Sequence, residues 1–390
     1  MLFLAHTGLL GGAEIMLEHM ATGMAPHGVE PVVALGSDGP LVDRLRRADI
    51  PVHVLPVGSL AGARRRRVPV EPKLVLDGVG WARAVRRLIR TLEVDVVVTN
   101  SQKAHLAGSV AARLSGVPVV WRLHDIVVPE TFGPAQIMAL RLTAAVSRPR
   151  VLGVSAAVDG AAKNVLRIAN TTCLRNGVDT ARLRAHGRLE MRERFGWPQE
   201  AVVFGMVGRL VRWKGCLELV EAAHRALQAA PEARFVLVGD EMIDAASGFR
   251  DEILRRVDEL GIGEQLRLMP FTDDVGAVLA ELDVLVQPSI EPDPFPTAVV
   301  EAAVMGVPVI ATTQGGAAEI VGDGVHGRLV EPGDVTALAG ACVELAADEL
   351  GRARMAAAIG RDSAGLTASR MCAGLARELR LALVGQPLGR

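Results

Sequence analysis

The sequence predicts an α/β protein built as two doubly wound parallel-sheet domains, and three observations carry that expectation. Its 390 residues, at roughly 150 per domain, suit two large domains or three small ones. Short apolar runs alternate with stretches of helical periodicity, and the runs are continuous in Val and Leu instead of alternating in and out, which marks strands buried on both faces. The series then starts a second time after a turn-rich junction, giving two Rossmann-like sheets.

Taken in order, the first strand is expected at 2–5. Met1-Leu2-Phe3-Leu4-Ala5-His6 lacks the cationic start and small-residue cleavage site of a secretory signal. Further strands are expected at 31–35, 52–55, 94–99 and 117–122, with helices between them. The junction 171–197 carries the turn pair Asn176-Gly177 and a charged run over 182–194, and the boundary falls within 173–178. A second strand series follows at 202–207, 234–238, 265–269, 283–287 and 307–311. The last stretch, 371–384, has helical spacing of Leu and Ala and is expected to fold back on the first domain. The expected domains are 1–173 and 174–365, with 366–390 returning to the first.

Composition removes several classes. Half the residues are hydrophobic and 22% are charged, which excludes disorder, collagen and coiled coil. No apolar stretch reaches the roughly 18 to 20 residues a bilayer demands. Cys173, Cys216, Cys342 and Cys372 show no Cys-x-x-Cys spacing, which argues against zinc and disulfides and suits a reducing cytoplasm. The net charge of −1 hides an asymmetry: 20 basic and 13 acidic residues stand up to residue 173, against 23 and 31 beyond it. Basic residues gather at Arg64, Arg65, Arg66 and Arg67, and on a helix over 81–92 where Arg83, Arg86, Arg87 and Arg90 share a face. A solvated face is the default reading; the alternative is peripheral contact with an anionic lipid surface at the inner membrane face, or with a phosphorylated acceptor. With four Trp, eight Phe and no Tyr, there is no aromatic stacking module for nucleic acid.

Ligands of open parallel sheets lie beyond the carboxyl ends of the strands, so three loops after strands are the places for chemistry. The first runs His6-Thr7-Gly8-Leu9-Leu10-Gly11-Gly12-Ala13-Glu14, where glycines before a helix let backbone amides approach an anion. A dinucleotide reading requires Gly-x-Gly-x-x-Gly, a spacing this loop lacks even though Asp38 follows the second strand. The second is Gly208-Arg209-Leu210-Val211-Arg212-Trp213-Lys214-Gly215, whose Arg209 and Lys214 suit a diphosphate, the guanidinium as a fork of donors and the ammonium as a point charge. The third spans 288–303, with Asp293 on a loop and Glu301 one turn into a helix starting near Thr297; there a carboxylate could accept from vicinal hydroxyls or complement the helix dipole.

With His124-Asp125 after a first-domain strand, Asn176-Gly177-Val178-Asp179 at the junction and Gly315-Gly316-Ala317-Ala318-Glu319 near the end, these segments in this order resemble the retaining glycosyltransferases of the GT-B fold, glycosyltransferase family 4. The resemblance spans nearly the whole chain. It implies a nucleotide sugar bound mainly by the second domain, an acceptor on the first, reaction in the cleft between them, and no cofactor beyond the nucleotide-sugar co-substrate. Arg209 and Lys214 would hold the diphosphate, with Gly208 and the amides of Gly11 and Gly12 beside it, Glu301 the ribose, and His124 would face the transferred sugar. The acceptor side would draw on His6, Asn100 and Asp125. Backbone groups near Met269 to Phe271 would face the base.

Two positions depart from the family pattern. Asp293 stands where a Glu is usual, and Pro294-Phe295-Pro296 replaces Pro-Phe-Gly, which shortens a carboxylate by one methylene and removes a backbone N–H just ahead of Thr297. The resemblance implies a UDP- or GDP-linked hexose donor, a sugar, lipid-linked or natural-product acceptor, a metal-independent front-face reaction, and a Lys214→Ala variant that loses turnover while keeping its fold. A GT-B-fold nucleotide-sugar epimerase and a catalytically silent nucleotide-sugar-binding protein are the alternatives.

Overall fold

The computed structural model describes residues 1–62, 72–185, 187, 189–241 and 248–384. Two units divide the chain: Met1–Gly177 with Thr367–Arg390, and Val178–Leu366. Unit 1 runs β1 (Leu2–Ala5), α1 (Gly12–Gly23), β2 (Val32–Leu35), α2 (Pro40–Arg47), β3 (Val52–Val54), α3 (Pro72–Thr91), β4 (Val97–Thr99) and α4 (Gln102–Ser115). It continues through β5 (Val119–Leu123), α5 (Pro134–Ser147), β6 (Arg150–Gly153), α6 (Ala156–Asn164) and β7 (Thr171–Cys173).

Unit 2 opens with the short helices α7 (Thr180–Arg184) and α8 (Met191–Phe195), then β8 (Val203–Val207), α9 (Cys216–Ala226), β9 (Arg234–Val238), α10 (Phe249–Glu259) and β10 (Leu266–Met269). There follow α11 (Val275–Leu279), β11 (Val284–Gln287), α12 (Thr297–Met305), β12 (Val309–Thr312), β13 (Gly327–Val330), α13 (Val335–Ala347) and α14 (Glu349–Asp362). The last helix, α15 (Ala368–Val384), rejoins unit 1. It packs on α1, where the Cys372 thiol meets the His19 carbonyl at 3.5 Å and the buried Glu378 carboxylate pairs with Arg150.

Both sheets are parallel. The order is β3-β2-β1-β4-β5-β6-β7 in unit 1 and β10-β9-β8-β11-β12-β13 in unit 2, so each reverses direction once, between β1 and β4 and between β8 and β11. Those reversals are the switch points where open α/β sheets leave a crevice. The continuous apolar runs are the reason the sheets are covered on both faces: β1, β4, β5, β11 and β12 are buried along their whole length.

Three strands escape the sequence expectation, namely β6, β7 and β13. Each is short; β7 (Thr-Thr-Cys) and β13 (Gly-Arg-Leu-Val) are sheet edges, where one flank needs no apolar neighbour, so the hydrophobic signal is weak. The arginines at 64–67 lie outside the described residues. On α3, Arg83, Arg87 and Arg90 are exposed, while Arg86 is half-buried, so the basic face is narrower than the spacing alone implies. Among the described residues, no helix is long and apolar enough to cross a membrane.

Candidate functional site

Loops at the two switch points carry the residues singled out in the sequence. In unit 2 the loop after β8 holds Gly208, the exposed Arg209 and a 3-10 turn, Arg212–Lys214, closed by Gly215. Gly215 has φ +80, and a Cβ there would stand 2.0 Å from the Pro288 carbonyl; only glycine lets this turn press against the loop after β11. The two loops are then joined by the Ile290 N–H donating to the Trp213 carbonyl at 2.9 Å.

This contact brings Lys214 to Asp293. Their Nζ–Oδ2 distance is 2.5 Å, with side-chain exposures of 13% and 8%, and the ammonium also lies 4.7 Å from the Trp213 ring centroid. Asp293 is held from behind as well: its carbonyl accepts from Gly316 N–H at 2.8 Å and its backbone bridges to Gly315, a residue at φ +77 whose Cβ would collide with Asp293 O. Lys214 thus has a structural part in the fold beside the role expected from the sequence. Removing the ammonium strands a buried carboxylate, and a buried charge without its partner is destabilising.

α12 begins at Thr297, as the sequence implies. Buried Pro296 is its N-cap and supplies no side-chain cap, so the positive end of the helix is left open beside buried Phe295. Glu301, one turn in, makes no hydrogen bond or ion pair among the described residues. Burial pushes its carboxyl up to about 8, with Arg182 pulling the other way. The folded protein keeps a proton that the unfolded chain releases near the usual 4.5, so stability falls as pH rises from 4.5 to about 8 and is level above that. Glu301→Gln is thus expected to raise the melting temperature by several degrees at pH 8.5 and hardly at all at pH 5; an equal shift at both would show that the carboxyl is not perturbed.

In unit 1 the strand ends hold a second cluster. Asn100, after β4, donates from Nδ2 to the Ala13 carbonyl at 2.9 Å, which turns its Oδ1 to His124 Nε2 at 2.8 Å. The imidazole therefore donates from Nε2 and keeps Nδ1 as an acceptor. Burial, with Arg122 and His105 beside it, holds His124 well below the usual histidine range, so it is neutral at pH 7. Ala13 follows Gly11 and Gly12 at the start of α1, whose N-cap Gly11 has no side-chain cap; this ties His124 to the glycine loop. Asp125 accepts from Gln102 at 2.8 Å. His6 stands half-buried after β1.

Some groups depart from expectation or had no signal. The Phe271 N–H is already taken by Asp240 at 2.9 Å, while the Met269 carbonyl, which accepts from Gly239 N–H at 3.1 Å, keeps a second lone pair for a further donor. Arg122 is fully buried in β5 and donates to the Leu174 carbonyl at 2.5 Å and to Asn176 Oδ1 at 2.7 Å. It fastens the segment leading to Asn176-Gly177; burial lowers its pKa to about 9. An Arg inside a strand pattern could have flagged it. Among the described residues, no group of three or more His, Cys, Asp or Glu is placed to hold a metal ion.

Two parallel Rossmann-like units, each with its polar cluster at a switch point, define the GT-B class of nucleotide-sugar enzymes. A family model described as Glycosyl transferases group 1 matches residues 187–361 and one described as Glycosyltransferase Family 4 matches residues 10–182; the chain belongs to these GT-B glycosyltransferases. It is similar to the 2-deoxystreptamine glucosyltransferase of Streptomyces kanamyceticus, 32% identical over 60% of this chain and 63% of that protein, so that less than two thirds of the relative is spanned. It also resembles the UDP-Gal:alpha-D-GlcNAc-diphosphoundecaprenol alpha-1,3-galactosyltransferase of Escherichia coli, 27% identical over 68% of this chain and 69% of that one. Among solved structures, Anabaena Alr3699/HepE in complex with UDP and glucose superposes with a TM-score of 0.82 at 27% identity, covering 97% of this chain and 98% of that one.

Proposed function

We propose that this glycosyltransferase moves a hexose-type sugar from a UDP- or GDP-linked donor to an acceptor hydroxyl with retention of configuration and without a metal ion. The observation that carries the reading is the cation at the unit 2 switch point, Lys214, fixed beside Asp293 and the open N-terminus of α12, with Arg209 on the same loop. These positive groups suit the charge that builds on a departing diphosphate. Glu301, which makes no hydrogen bond or ion pair among the described residues, suits the ribose hydroxyls. Anabaena Alr3699/HepE, similar in fold, has been crystallised with UDP-glucose, which supports a uridine donor as the first to test.

Retention without an evident protein nucleophile suits front-face attack. The acceptor oxygen bonds to the anomeric carbon on the side from which the glycosidic C–O bond to phosphate breaks, and the departing phosphate oxygen takes the hydroxyl's proton. Neutral His124 serves as a hydrogen-bond partner for the sugar and not as an acid. A thermal-shift panel of UDP, GDP, ADP and their sugar conjugates, with and without EDTA, tests this reading, since a ligand of the native state raises the melting temperature. One nucleoside diphosphate and its sugar conjugate should each stabilise the protein as much with EDTA as without it, and turnover should persist there. Strict dependence on Mg²⁺ or Mn²⁺ would overturn the metal-independent part.

A specific surface favours acceptors at an anionic membrane. Helices α3, α4 and α5 pack side by side and carry eight basic residues against one acidic, Asp77, which Ser59 engages. Their outer faces also expose Val110, Leu114, Met138, Leu142 and Val146, the apolar component that interfacial binding requires beside the charge. The protein should co-sediment with vesicles containing phosphatidylglycerol and not with pure phosphatidylcholine, and Leu142→Glu/Val146→Glu should release it. Sedimentation independent of anionic lipid would remove this surface as a membrane contact.

A further inference from the structure

Lys214 is already spoken for before any donor arrives. Its ammonium is 2.5 Å from Asp293 Oδ2, and both side chains are mostly buried. Neither backbone is free to withdraw: the Lys214 turn is bonded through Trp213 O to Ile290 N–H, and Asp293 is clamped to Gly315 and Gly316. A diphosphate reaching Lys214 therefore meets a fixed carboxylate of its own sign on the same cation. Asp293 Oδ1 accepts no hydrogen bond among the described residues, so this carboxylate also has an unfilled acceptor.

Resting on the donor reading above, we infer that Asp293 is an exchangeable counter-ion of Lys214 that makes the site favour an intact nucleotide sugar over a bare nucleoside diphosphate. When the diphosphate takes the ammonium, Asp293 loses its partner, a change that opposes binding. Hydroxyls of an attached sugar donate to the released carboxylate and offset that loss. A free nucleoside diphosphate has no such hydroxyls, so after transfer Asp293 recaptures Lys214 and helps the product leave. The aspartate suits this exchange because its short side chain reaches Lys214 while its backbone is held. Lysine suits it because a flexible ammonium can change partners without the fixed geometry of a guanidinium fork.

The experiment is calorimetric titration of wild type, Asp293→Asn and Asp293→Glu with inorganic pyrophosphate, with UDP, GDP and ADP, and with the matching nucleotide sugars, alongside inhibition of turnover by the free nucleoside diphosphate. Charged hydrogen bonds of this kind are worth about ten- to a hundredfold in affinity. Asp293→Asn should bind pyrophosphate and the preferred nucleoside diphosphate about tenfold more tightly, while its preference for the nucleotide sugar over the bare diphosphate falls by a similar factor. Product inhibition should strengthen in step. Asp293→Glu, which keeps the charge, should stay near wild type in diphosphate affinity. Equal or weaker diphosphate binding by a folded Asp293→Asn would overturn the inference and leave Asp293 as a mere brace for Lys214. If that variant does not fold, Asp293→Ser is measured in its place, with the same expected tightening and the same overturning result. Failure of wild type and variants to bind any nucleoside diphosphate would instead overturn the donor reading, and the inference with it.

Discussion

Lys214→Ala should lower kcat/KM by about 10² to 10³, the usual consequence of deleting one preorganised donor to a developing oxyanion, and should also destabilise unit 2 by about 3 kcal/mol, because Asp293 remains buried without its cation. The two effects separate in a double variant. Lys214→Ala/Asp293→Asn removes the stranded charge, so most of the lost stability should return while turnover stays low. Near-wild-type turnover in the single variant would sink the donor assignment. Undiminished stability in the single variant would show that the ion pair contributes nothing to the fold. The structural half of this prediction rests on the 2.5 Å contact and on the 8% exposure of the Asp293 side chain, neither of which the sequence displays.

Gly177→Ala should destabilise unit 1 by about 3 kcal/mol or more, placing it with the larger single-residue effects. A Cβ at this position would stand 2.1 Å from the Thr367 carbonyl oxygen and 2.9 Å from Ala368 N. Both obstacles are backbone, so no side chain can turn aside. Immediately beyond, Val178 N–H donates to the Leu366 carbonyl at 3.1 Å, so the two segments that carry the chain from one unit to the other run side by side. Urea unfolding of the variant measures the effect, and a loss below about 1 kcal/mol would mean that the segments separate easily. The glycine is required here by closeness of approach; its φ is not in the left-handed region.

The Asn176-Gly177 pair shows how far sequence reasoning reaches. Asn-Gly marks a turn, and a turn at a boundary is what the sequence supports. That Gly177 faces Thr367, 190 residues further on, follows only from the return of α15 to unit 1, and that Asn176 is gripped by a buried Arg122 only from the placement of β5 beside the junction. The candidate site divides in the same way. Arg209, Lys214, Asp293 and Glu301 were legible because strand ends, glycines and a helix start can be read locally. Their relations were not legible: the pairing of Lys214 with Asp293, the engagement of the Met269 to Phe271 backbone by Gly239 and Asp240, and the ordering of His124 by Asn100 and Ala13 all join loops from separate strands.

By itself, the sequence determined the α/β class, the two sheets, most strands and the loops that carry polar groups, because burial on both faces and tight turns are written in neighbouring residues. Tertiary structure alone decided the edge strands β7 and β13, which need little apolar character, and the electrostatic state of the site. Whether Lys214 is paired or Glu301 holds its proton depends on what surrounds each charge in space, and desolvation and ion pairing are properties of that surrounding, not of the residue type.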